Sequence, residues 1–176
     1  GVSTDIPWKL FDKVDLEKIT NMDGTIASAV AQIFLPDGEE LTKAMQFVED
    51  VAKKSGLDIV QWRDVPVNED VLGELSREFV PTVKQVAFQL SPELAAKTAN
   101  REEFELILYD ARREIQGYFR TLESINAYIC SMSSKTIVYK GMLRSCDVGK
   151  FYLDLENPDY ETTFAVYHRR FSTNTV

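Results

Sequence analysis

The chain has 176 residues, 44% hydrophobic and 27% charged, which suits one soluble globular domain and excludes a disordered, collagen-like or disulfide-scaffold protein. A formal net charge of −8, from 20 Lys+Arg against 28 Asp+Glu, argues against a general nucleic-acid binder, which needs a basic face to displace phosphate counterions. One histidine and two cysteines leave little material for a zinc site, and most simple enzyme templates are short of parts.

The opening residues, Gly1-Val2-Ser3-Thr4-Asp5, carry no basic stretch and no Met. They are expected to be neither a secretory signal nor a translation start, but an end set by processing or design. The longest apolar run, residues 27–35, is interrupted by Ser28 and Gln32 and falls far short of the roughly 20 residues a membrane span needs. Residues 25–35 read instead as a strand buried on both faces. Pro36-Asp37-Gly38-Glu39-Glu40 predicts a turn and a helix start, with Asp37 as cap and Glu40 at the reciprocal capping-box position. Leu41, Met45, Val48 and Ala52 then recur at helical spacing, and Gly56 supplies the stop.

Residues 57–65 predict a second strand, and a weaker helix is expected over 68–79, ending before Pro81. In residues 82–90, Val86, Phe88 and Leu90 alternate with Gln85 and Gln89, which predicts a strand with one wet face. A strong helix opens at Asn100, with Glu103 three residues on and an apolar stripe of Phe104, Ile107, Leu108, Ala111, Ile115 and Phe119. Residues 127–132 and 135–140 predict a hairpin turning at Ser133-Ser134, and 162–168 a last short strand. Without repeats, linkers or low-complexity segments, a single α+β layered domain is the expected outcome.

Residue chemistry narrows the function classes further. Cys130 and His168 are the one conceivable nucleophile–base pair, but Cys130 sits in the apolar run Tyr128-Ile129-Cys130, where a buried inert thiol is expected. Cys146, between Arg144 and Lys150, is expected to be exposed without an oriented base; both thiols suit an intracellular chain. No segment matches a calcium loop or a phosphate-cradling glycine motif, and Asp15-Leu16-Glu17 and Glu102-Glu103 read as solvated helix faces. Lys135, Lys140, Arg144 and Lys150 form a basic stretch in an acidic chain, expected to serve solubility. In Tyr167-His168-Arg169-Arg170-Phe171-Ser172-Thr173-Asn174-Thr175, an arginine leaving a strand among hydroxyl side chains suits carboxylate recognition, although a capped surface loop would look the same.

Taken together, residues 128–143 (YICSMSSKTIVYKGML) and 168–175 (HRRFSTNT) closely resemble the glutamine amidotransferase domain of the glutamate synthase large chain. Trp62-Arg63-Asp64-Val65-Pro66-Val67, Leu72-Gly73 and Ile6-Pro7 resemble the same family in the same order, so the likeness covers nearly the whole chain. The resemblance implies a class II, N-terminal-nucleophile amidotransferase: a four-layer α-β-β-α sandwich on two antiparallel sheets. It implies that an N-terminal cysteine attacks the glutamine amide with its own α-amine as base. The ammonia then passes to a second site, carrying FMN and an iron–sulfur cluster, where it joins 2-oxoglutarate and is reduced into glutamate. By motif position, Arg170 is expected to clamp the glutamine α-carboxylate, supported by Ser172 and Thr173.

The departures from the family pattern set the remaining expectations. Neither cysteine stands at residue 1, and the family's Asn-Gly oxyanion pair falls beyond the Arg-Phe-Ser-Thr motif and is not among these residues. Val176 replaces the aromatic the family usually places there. The chain is therefore expected to be an internal fragment of the glutaminase domain, inactive alone and free of cofactors, with FMN and the iron–sulfur cluster in the parent. Its expected partners are glutamine and the remaining domains of glutamate synthase, with self-association possible and neither nucleic acid nor membrane. The alternative is a non-catalytic glutamine- or glutamate-binding or subunit-interaction module on the same scaffold.

Overall fold

In the computed structural model the described residues are 1–123 and 127–168. Two antiparallel sheets organise them. The larger joins β2 (Ser28–Leu35), β3 (Leu57–Asp64), β4 (Thr82–Leu90) and β5 (Tyr128–Ser133) in the order β3-β4-β2-β5. The smaller places β1 (Val2–Ser3) between β6 (Ile137–Val138) and β7 (Ala165–Val166). No described helix is long and apolar enough to cross a membrane.

One face of the large sheet is dry. Ala29, Ala31, Ile33 and Leu35 of β2 and Val86, Phe88 and Leu90 of β4 share it, as the period-two alternation of a strand dictates. Against it pack α1 (Glu39–Lys54) through Ala44, Val48, Val51 and Ala52, and α4 (Arg101–Phe119) through Phe104, Leu108, Ala111, Ile115 and Phe119. The helical spacing predicted the α4 stripe; in α1 it named Val48 and Ala52 but missed Ala44 and Val51, while the predicted Leu41 and Met45 are only partly buried against the cluster. α4 also begins as expected: the Asn100 side chain accepts the Glu103 N–H at 3.0 Å, and the Glu103 carboxylate accepts the Ala99 N–H at 2.6 Å.

The start of α1 differs from expectation. Gly38, at φ 66°, is the N-cap and makes no side-chain bond. Asp37 instead accepts the Thr82 hydroxyl at 2.5 Å, and Glu40 accepts the Glu123 N–H at 3.1 Å, so tertiary partners have taken both capping carboxylates. The far end behaves as predicted. Gly56 is left-handed at φ 72°, and a Cβ there would stand 2.6 Å from Leu94 Cδ2.

Four further expectations are corrected. The helix expected over 68–79 is a 3-10 turn, Glu69–Val71, and a single turn α2 (Glu74–Arg77), interrupted at Leu72-Gly73, with few buried side chains to hold a longer helix. The expected hairpin does not close: β6 leaves β5 at Ser133-Ser134 and pairs with β1 in the small sheet, Val2 opposite Val138. The last strand is two residues long rather than residues 162–168. Asp15-Leu16-Glu17 lies in a turn, where Asp15 accepts the Glu17 N–H at 3.1 Å. Two short helices, α3 (Pro92–Ala95) and α5 (Val148–Phe151), complete the order.

The margins of the large sheet are blunted. β3 carries a register shift between Ile59 and Gln61, and β5 meets β2 across another at Gln32/Ile33. Along β5, helix α4 occupies the edge: Gln116 accepts the Ile129 N–H at 3.1 Å, Arg112 donates to the Ile129 carbonyl at 3.3 Å, and Glu105 accepts the Ser134 N–H at 2.6 Å.

Candidate functional site

The expected wet face of β4 is buried. Gln85 and Gln89, with Ser28, Gln32 and Ser131 from neighbouring strands, lie under the segments that carry the small sheet. Burying amides demands partners, and the face supplies nearly all of them. Gln89 donates to the Asp15 carbonyl at 2.7 Å and to Ser28 Oγ at 3.0 Å.

Around Gln85 the bonds close into a ring. Arg63 donates through Nη1 to Gln85 Oε1 and Asp154 Oδ2, both at 2.8 Å, and through Nη2 to Asp154 Oδ1 at 2.5 Å. Gln85 Nε2 donates to the Tyr139 hydroxyl and to Gln32 Oε1, both at 2.8 Å. Tyr139 donates in turn to Asp154 Oδ2 at 2.8 Å. The order of donors is forced. A guanidinium only donates, so the Gln85 carbonyl must face it, which turns the Gln85 amide nitrogen toward Tyr139 and Gln32. Gln32 Nε2 is left as a buried donor without an acceptor.

Electrostatics agree with that order. Burial opposes the charge on Arg63, but its bonds to Asp154 outweigh burial and hold the guanidinium pKa above its usual value. Burial first, and the Asp154 charge second, push the Tyr139 hydroxyl far up, so it stays protonated and donates. T-shaped contacts of Tyr139 with Tyr152 and Tyr160, at 5.0 and 5.8 Å between centroids, complete the enclosure.

The residues singled out by sequence are distributed differently. Arg170, Ser172 and Thr173 lie outside the described residues. Cys130 lies in β5 and His168 follows β7 of the small sheet, exposed. Burial, only partly offset by Lys140 and Arg112, pushes the Cys130 thiol up to about 12, so it stays a protonated, unreactive thiol at neutral pH. It borders a groove of about 430 Å³ between α4 and β5, with Leu106, Tyr109 and Arg112. Cys146 is exposed. The basic stretch has no common focus: Lys135 pairs with Glu102 at 2.9 Å, Lys140 sits 3.8 Å above the Tyr128 ring, and Arg144 pairs with Asp147 at 2.6 Å.

Arg63 and Asp154 escaped the residue-level reading. Their signals were present: Arg63 is the one cation of β3, and Asp154 is the one acid in Phe151-Tyr152-Leu153-Asp154-Leu155.

Comparison with known proteins decides the family. The family model described as Glutamine amidotransferases class-II matches residues 1–176. The chain belongs to that family. It is 40% identical over 177 residues to ferredoxin-dependent glutamate synthase 1, chloroplastic/mitochondrial, of Arabidopsis thaliana, covering 99% of this chain and 11% of the relative. It is 39% identical over 178 residues to the chloroplastic ferredoxin-dependent glutamate synthase of Oryza sativa subsp. japonica, at 99% and 11% coverage. To ferredoxin-dependent glutamate synthase 2 of Synechocystis sp. it is 40% identical over 177 residues, at 100% and 11%. The chain thus spans about a tenth of the length of these relatives. The glutamate synthase resemblance and the mixed helix-and-antiparallel-sheet class both hold.

Proposed function

We propose that this chain is part of the glutaminase domain of a glutamate synthase, whose parent hydrolyses glutamine to glutamate and ammonia for reductive transfer to 2-oxoglutarate. The observation that carries this reading is the class-II family match along residues 1–176. Residues 1–176 are read as one partial domain of the four-layer α-β-β-α sandwich. The blunted margins of the large sheet support this, because they leave the small sheet, with its two-residue strands and exposed β7, as the one further strands would extend. The same exposed strand favours self-association of the chain.

Arg170 is assigned the glutamine α-carboxylate, for which a guanidinium offers two parallel donors, with Ser172 and Thr173 as supporting hydroxyls. The nucleophile implied for the family is an N-terminal cysteine that supplies its own base, and a buried, protonated Cys130 does not fit that role. FMN and the iron–sulfur cluster are assigned to other parts of the parent. Two cysteines are fewer than the thiolates a cluster takes, so no step here runs through it. The compartment proposed is intracellular, cytosol or plastid, following the chloroplastic relatives.

An ammonia-release assay tests the catalytic half: these 176 residues alone should give no glutaminase signal above blank. Turnover that survives alkylation of Cys130 and Cys146 would overturn the assignment. Calorimetry with glutamine tests the binding half. Heat that disappears in Arg170→Ala supports the clamp, and identical heats for both proteins remove it.

A further inference from the structure

The Arg63 ring is used by nothing in the catalytic reading, yet it is a buried polar link between the two sheets, beside the single bond from the Val138 N–H of β6 to Ser131 Oγ of β5 at 3.1 Å. Arg63 and Gln85 belong to β3 and β4 of the large sheet, whereas Tyr139 directly follows β6 of the small one. From Tyr139 the contacts run on without a gap. Its N–H donates to the Gly1 carbonyl at 3.0 Å, extending the β6–β1 ladder. Its ring meets that of Tyr160, whose hydroxyl bonds Ser3 Oγ at 2.6 Å. β1 then pairs with β7, Val2 opposite Val166 and Ser3 opposite Ala165, and the Thr4 N–H donates to the Phe164 carbonyl at 3.1 Å.

We propose that Arg63, Gln85, Tyr139 and Asp154 are positioning residues: their ring fixes the small sheet in one register against the large sheet and thereby orients β7, the strand that leads in sequence toward Arg170. The directionality of the ring is what makes it a register device. Arg63 as sole charged donor and Asp154 as terminal acceptor permit one arrangement of the intervening amide and hydroxyl, so a displaced Tyr139 loses both its donor and its acceptor. An apolar contact of the same area would tolerate sliding. The consequence for glutamine recognition rests on the carboxylate-clamp assignment of Arg170. The consequence for β7 does not.

The test uses Tyr139→Phe, which keeps the ring and removes only the hydroxyl, and Arg63→Met/Asp154→Leu, which removes the charge pair together. Amide hydrogen exchange of the full chain is followed at residues 2–4 and 164–166, with residues 30 and 86 of the large sheet as internal reference. Both variants should lose about tenfold or more of protection at β1 and β7 while the reference amides are unchanged. The double variant should do so even with its melting temperature restored. Equal protection in variant and parent, or loss spread evenly over both sheets, overturns the proposal. Glutamine calorimetry on the same proteins separates the two readings. If the parent chain binds and Tyr139→Phe weakens binding about tenfold, the ring acts on recognition. If the parent gives no heat, the clamp assignment fails, and the exchange result alone decides the ring.

Discussion

The two faces of the large sheet are held by different means. The helix side is a close-packed aliphatic and aromatic layer, non-directional and tolerant of neighbours that shift slightly. The other side has a smaller apolar cluster of its own, with Val30, Ala87, Ile137 and Phe151, and threads through it amides, a phenol, a guanidinium and a carboxylate whose bonds specify direction as well as contact. The first supplies most of the driving force for folding. The second makes one arrangement of the sheets preferable to its neighbours. Burial by itself therefore says little about role, since Phe88 and Gln85 are both fully enclosed on one strand and act quite differently.

The contrast can be broken most severely on the dry side. Phe88→Ala should cost about 3–5 kcal/mol in denaturant unfolding, because transfer free energy and a cavity penalty add. A loss below about 1 kcal/mol would mean that the helices do not clamp this face. On the polar side, Arg63→Met should cost about 3 kcal/mol by stranding the enclosed Asp154 carboxylate, whereas Arg63→Met/Asp154→Leu should recover most of that stability. If the double variant is no more stable than the single one, the pair is a net stabiliser rather than a source of specificity. The smallest effect concerns Cys130, in the edge strand β5. Its thiol is raised from the usual 9.0 to about 12 by burial, so the unfolded chain releases this proton first. Stability from this group is complete below about pH 9 and should decline as pH rises from there toward 12, with Cys130→Ala removing that part of the slope.

The legible and illegible parts of the sequence divide along the same line. Apolar periodicity exposed both long helices and the inward face of β4, because burial against a helix leaves a repeating trace in one segment, whereas the nearly unbroken apolar run at 25–35 marked β2 as buried on both faces. The Gln85 and Gln89 alternation left an identical trace for a solvated face and for a buried polar one, and local spacing has no means of separating them. Arg63 and Asp154 are 91 residues apart, so their bond has no local signature. The failed cap at Asp37 has the same cause: Thr82 and Glu123, distant in the chain, outbid the helix terminus for carboxylates that sequence assigns to it. The carboxylate-binding residues became visible only through family likeness, since a basic pair followed by hydroxyls is common in ordinary surface loops.

Helix α4 has a second duty beyond covering the core. Its Gln116 and Arg112 hold the Ile129 N–H and carbonyl of β5, and its Glu105 holds the Ser134 N–H just past the strand, groups otherwise open to an incoming chain. A strand adding at Ile129 has to displace these side chains first, and peeling α4 away would also uncover Phe104 and Leu108. Resistance to strand addition at that point thus depends on how firmly one helix is docked.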